Sequence, residues 1–141
     1  MDIILSLFYV LISIVIVLSL LTIGYAGLSF APWVPSRKKD FQRIFKLANL
    51  QPGEVFYELG CGDGRLTAYA VKNFSVKAVG LEIALPFFLI CQWRRLFVVN
   101  KKNLIFKCKN LFNENLSSAD VIYLFGMPKP IQKKLQQKIK T

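Results

Sequence analysis

Residues 55–66 read VFYELGCGDGRL: an apolar run, an acid, glycines at alternate places, then residues suited to opening a helix. A strand that passes through a glycine turn straight into a helix is the first half of a βαβ unit. The chain is thereby committed to a parallel α/β sheet, a fold class that binds ligands at the carboxyl ends of its strands. Glycine lets the main chain come within van der Waals reach of a ligand there. The spacing also excludes one ligand class. A dinucleotide fingerprint needs glycines at the first, third and sixth places. The sixth place here is Arg65, and the third glycine arrives one residue early, as Gly64.

The rest of the chain keeps the alternation. Phe41, Ile44, Phe45 and Ala48 recur at helical spacing, and Asn49 with Gln51-Pro52-Gly53 ends that lead-in helix. Strands are expected at 54–59, 77–82, 104–108 and 120–125. Helices are expected from Asp63 or Gly64 to about Asn73, and from the turn containing Pro86 to about Val99. Gly126-Met127-Pro128 breaks the fourth strand, and Ile131, Leu135 and Ile139 mark a last helix. Right-handed crossovers predict helices on both faces of a four-stranded sheet, with the fourth strand at an edge.

Residues 3–30 contain no charged side chain, whereas all nineteen Lys and Arg lie from Arg37 onward. Ile3 to about Gly24 is long enough to cross a hydrocarbon core, which takes about 20 apolar residues. Its N-terminus lacks the basic flank of a cleaved signal peptide. Arg37, Lys38 and Lys39 follow closely, so the positive-inside rule puts the rest of the chain in the cytoplasm, as a single-pass membrane protein. Three units result: an anchor at 1–30, a connector with the lead-in helix at 31–53 and, at 54–141, a ligand-binding domain expected to be C-terminally incomplete. The formal net charge of +11 calls for an anionic neighbour. Its lysines are scattered over helices without an aromatic stacking platform, which favours a lipid surface over nucleic acid.

There is no histidine, and Cys61, Cys91 and Cys108 form no CxxC pair. A zinc site, a disulfide framework and any histidine-based catalysis are thereby disfavoured.

Acid-x-Gly-x-Gly-x-Gly at 58–64 resembles the first motif of class I S-adenosylmethionine-dependent methyltransferases. Together with the anchor, Pro32-Trp33-Val34-Pro35-Ser36, Val79-Gly80-Leu81-Glu82 and Phe125-Gly126-Met127-Pro128, the chain resembles the membrane-anchored methyltransferases related to the ATP synthase c-subunit lysine N-methyltransferases. The resemblance implies an α/β, Rossmann-like methyltransferase fold, S-adenosyl-L-methionine as cofactor, and Trp33 to Ser36 near the methyl-transfer cleft. For that cofactor, Glu58 is placed to accept from the ammonium group. Gly60, Cys61, Gly62, Asp63 and Gly64 form the loop around it, and Asp63 serves either the ligand or the helix cap. Glu82, eighteen residues after Gly64, is placed to take the ribose hydroxyls. Asn110 stands where many such enzymes carry an acid facing adenine. No catalytic base is assigned among Tyr57, Tyr123 and Asp63. The expected function is protein-lysine N-methylation at a membrane. The alternatives are methylation of a lipid or small membrane molecule, and a non-catalytic cofactor-binding module.

Overall fold

The structure is a computed structural model, and it describes residues 2–29 and 34–125. Its order is α1 (Asp2–Ser29), α2 (Lys38–Ala48), β1 (Val55–Leu59), α3 (Arg65–Phe74), β2 (Lys77–Glu82), α4 (Leu85–Arg95), β3 (Leu104–Cys108), a single 3-10 turn (Leu111–Asn113) and β4 (Val121–Leu124). Trp33, the Gly126-Met127-Pro128 break and the last helix lie outside the described residues.

The four strands pair in the order β3-β2-β1-β4, all parallel, with Leu59 level with Leu81 and Leu124. β1 and β2 therefore lie at the centre, and their carboxyl ends meet side by side. β3 and β4 are the two edges among the described residues.

Strand residues alternate between two cores, as the pleat requires. Phe56, Ala78, Leu104 and Phe106 pack with Phe41 and Phe45 of α2, Leu66, Ala70 and Val71 of α3, and Cys91 of α4. Tyr57, Leu59, Val79 and Leu81 point to the other side, against Leu111, Phe112, Leu116 and Ala119. Among the described residues α2, α3 and α4 all pack on the first of these faces, and the last expected helix lies outside them. The path β1-β2-β3 runs in one direction, so its right-handed crossovers put α3 and α4 on one side. Only the return from β3 to β4 crosses the opposite face, and it does so as a loop with one 3-10 turn.

The element ends also shift. α4 stops at Arg95 rather than near Val99, because Leu96, Phe97 and Val98 donate to the carbonyls three residues earlier. That tightened turn carries Val98 into the core, 3% exposed. Asp120 stays outside β4 and instead accepts the Val55 N–H at 2.8 Å.

α1 is one uninterrupted helix, and among the described residues it alone is long and apolar enough to cross a membrane, over Ile3–Gly27. Ser19, Thr22 and Ala26 are its half-buried positions. They share one helix face, and Thr22 Oγ1 accepts the Leu85 N–H at 3.2 Å where α4 begins.

Candidate functional site

A cavity of about 270 Å³ opens over the carboxyl ends of β1 and β2. Glu58, Gly60, Cys61, Gly62, Asp63, Glu82 and Asn110, all expected at a ligand site, line it. Gly64 alone of the predicted set does not. It packs behind the loop: a Cβ there would lie 2.6 Å from the Phe106 ring and 2.9 Å from Cys91 Sγ, on backbone at φ +71°. Gly60 is the opposite case. Its φ is +78°, and a Cβ would meet nothing within 4 Å, so its missing side chain leaves open space.

The loop is pinned from below. The N–H groups of Gly60 and Cys61 both donate to the Leu81 carbonyl, at 2.9 and 2.8 Å. Cys91 Sγ donates to the Gly62 carbonyl at 3.0 Å and sits 3.8 Å from Cys61 Sγ. Both thiols are buried, and burial pushes that of Cys61 up.

The two acids differ in their surroundings. Glu58 is 5% exposed. Its Oε2 accepts the Thr67 N–H at 2.9 Å and also the Thr67 hydroxyl, tying β1 to the first turn of α3. One of the backbone N–H groups at that helix start is therefore taken by Glu58 itself. Burial raises its carboxyl from 4.5 to about 8, against the two Thr67 bonds. Glu82 is 8% exposed, and its two oxygens accept the N–H groups of Gly62 and Ala84, each at 2.8 Å. Burial raises its carboxyl as well. A carboxylate has about four lone-pair sites, and a protonated carboxyl gives one of them up for an O–H donor, so each acid keeps acceptor capacity beyond these bonds in either state.

Asp63 is held by cations. Arg65 contacts it at 2.6 Å and Arg94 at 3.1 Å, and Arg94 Nε also donates to the Asp63 carbonyl. Burial pushes this carboxyl up, but the Arg65 hydrogen bond and the two guanidinium charges outweigh it and hold it below the usual carboxylate range. Asn110 caps the 3-10 turn, its Oδ1 accepting the Phe112 N–H at 3.0 Å, while Nδ2 reaches Tyr25 Oη at 3.4 Å.

Of the three residues weighed as a base, Tyr57 lies on the other face, its hydroxyl 3.4 Å from Ser118 Oγ. Tyr123 does line the cavity, and burial raises its phenol. Asp63 lines it too, its carboxyl held as an anion and engaged by Arg65 and Arg94.

Sequence reasoning missed the wall opposite the loop. Ile23, Tyr25, Ala26 and Gly27 of α1 close the cavity on one side, and Phe87, Phe112 and Phe125 add apolar surface. An unbroken apolar run signals burial in lipid and carries no mark of a second role. The Arg94 clasp on Asp63 likewise joins residues 31 apart, with no sequence signal.

A protein-lysine N-methyltransferase from Saccharolobus islandicus (strain REY15A) is 45% identical over 53 residues, which are 37% of this chain and 33% of that protein. The match thus spans about a third of the curated relative's length. An RNA methyltransferase from Salinibacter ruber, solved with S-adenosyl-L-homocysteine, has a TM-score of 0.69 at 26% identity, covering 74% of this chain and 71% of that one. A dimethyladenosine transferase from Plasmodium falciparum, at 17% identity, shares the fold with a TM-score of 0.65 over 77% of this chain and 39% of its own. Residues 58–141 match a family of methyltransferase domains from the glycine loop to the last residue. Since that match takes in more than half of the sequence, the chain belongs to the ANTKMT methyltransferase domain family.

Proposed function

We propose that this protein is an S-adenosylmethionine-dependent methyltransferase, held at a membrane by α1, that methylates a lysine side chain of a protein. One observation carries the proposal. The cavity has a glycine loop and two buried acids as its floor and the end of an apolar helix as its wall.

The residues present fit the cofactor. The open space at Gly60 admits a ligand against the main chain. Glu58 would accept from the amino group and Glu82 from the ribose hydroxyls, while Cys61, Gly62 and Asp63 line the same side and Gly64 keeps the loop seated on Phe106. Asn110, its oxygen turned to Phe112, would meet the adenine end by contact. When bound, the cofactor supplies an electrophilic methyl group on a sulfonium.

What the chain adds is position and a dry surface. A lysine amine has to be neutral to attack, and its pKa is about 10.4 in water. Apolar lining from Val34, Pro35, Phe87 and Phe125 lowers that value by desolvation.

Two features support the choice of acceptor: the Saccharolobus relative and the wall formed by α1, a helix long and apolar enough to cross a membrane. The test uses membranes incubated with the full chain and methyl-labelled cofactor. Label recovered as methyl-lysine in a protein band is the expected result. Label confined to the lipid extract or to RNA overturns the lysine assignment, and cofactor binding without transfer overturns the enzyme.

A further inference from the structure

Helix α4 is apolar on two sides. Cys91 faces the core, while Leu89, Ile90, Trp93, Leu96 and Phe97 are exposed, Trp93 at 63% and Leu96 at 68%. Their spacing puts them in one stripe along α4 and its closing turn, and Val99, 95% exposed, extends it. Single exposed apolar residues need no explanation, but a contiguous stripe does. Trp93 and Phe97 meet edge to face at 5.0 Å, so the aromatic end of the stripe is ordered while facing outward.

Two further features say what lies against it. Arg95 sits beside the stripe, its Nε on the Lys101 carbonyl at 3.2 Å, and Lys101 and Lys102 are exposed just beyond. Arg94 is committed to Asp63 and belongs to the site. The same helix begins against Thr22 of α1, within the last turns of the apolar span. An apolar stripe with aromatic rings, rimmed by cations and carried on a helix that starts against the apolar α1, matches the boundary between acyl chains and anionic headgroups. A soluble protein partner would account for the stripe but not for its place beside α1.

We infer that the outer face of α4 lies in the headgroup–acyl boundary of an anionic lipid leaflet next to α1, giving the domain a second hold on the bilayer and fixing which way its cavity faces. This rests on α1 being a membrane span, so the test separates the two. The Trp33→Phe variant of the full chain leaves Trp93 as its sole tryptophan. It is inserted into phosphatidylcholine vesicles, with or without an equimolar share of phosphatidylglycerol, whose acyl chains carry bromine. The expected result is a protein that resists alkaline extraction, with Trp93 losing most of its emission to bromine and losing more when phosphatidylglycerol is present. Lys101→Glu with Lys102→Glu then removes that extra loss.

Resistance to extraction with an unquenched, water-like Trp93 spectrum overturns the α4 contact while leaving the span intact. A blue-shifted but unquenched Trp93 also overturns it, pointing to protein on the stripe. Release of the chain by alkali overturns the span itself, and the α4 contact with it.

Discussion

Glu58 is a buried acid whose proton should govern the stability of the whole domain. Its carboxyl sits at about 8 in the folded chain against an ordinary 4.5, because burial penalises the anion. A group with a raised folded pKa contributes stability in full below its unfolded value, and that contribution drains away as pH climbs to the folded value. At 1.36 kcal/mol per pK unit the full loss is about 5 kcal/mol. About 1 kcal/mol of it is felt by pH 5, about 3 by pH 7 and nearly all by pH 9. Glu58→Gln keeps an acceptor for Thr67 and cannot ionise. The assay is urea unfolding of both proteins in detergent, followed by circular dichroism at pH 5, 7 and 9. The wild type should lose about 2–3 kcal/mol relative to the variant from pH 5 to 7, and about 1 more by pH 9. Parallel curves for the two proteins would refute a neutral Glu58 and the desolvated site it implies.

The two loop glycines should separate folding from binding. Gly64→Ala drives a methyl group into Phe106 and Cys91 at positive φ and should destabilise the domain by about 2–3 kcal/mol in the same unfolding assay. Gly60→Ala should be milder, about 1 kcal/mol, yet weaken S-adenosylhomocysteine binding in calorimetry, because its methyl group enters the cavity. Asp63→Asn should cost about 1 kcal/mol at neutral pH in low salt, less in high salt, since both arginines are about a third exposed. The Asp63 contribution is present above the ordinary carboxylate pKa and fades as pH falls through its lowered folded value, so acid should erase the difference. A thiol reagent should find one accessible cysteine, Cys108, with Cys61 and Cys91 reacting only on unfolding.

Local signals made most of this fold legible. The βα junction at 58–65 and the apolar runs at 77–82 and 104–108 gave strands in the right places, because each is bounded by turn chemistry within a few residues. The ends moved where tertiary contact decides: Val98 had to reach the core, so α4 closed early, and Asp120 left β4 to serve Val55. Among the described residues the second face is crossed only by the return from β3 to β4, with its single turn at Leu111–Asn113, and the sequence carries no periodic signal over 109–119 that would have placed it there. At the site, the acids and glycines announced themselves by spacing. Their partners did not, because Thr67, Arg94 and Tyr25 meet Glu58, Asp63 and Asn110 only through the fold. The exposed stripe on α4 was hidden for a different reason: periodicity reports an apolar face without saying whether core or lipid takes it.

The central claim is that the cavity over β1 and β2 holds the cofactor through Glu58 and Glu82. Titration calorimetry with S-adenosylhomocysteine on the full chain in detergent tests it, using wild type, Glu82→Gln and the Glu58→Ala, Glu82→Ala double variant, each checked for folding by circular dichroism. The predicted result is one site per chain in the wild type, weaker binding by about tenfold in Glu82→Gln, and loss of detectable binding in the double variant. No heat with folded wild type, or equal affinity in all three, would contradict it.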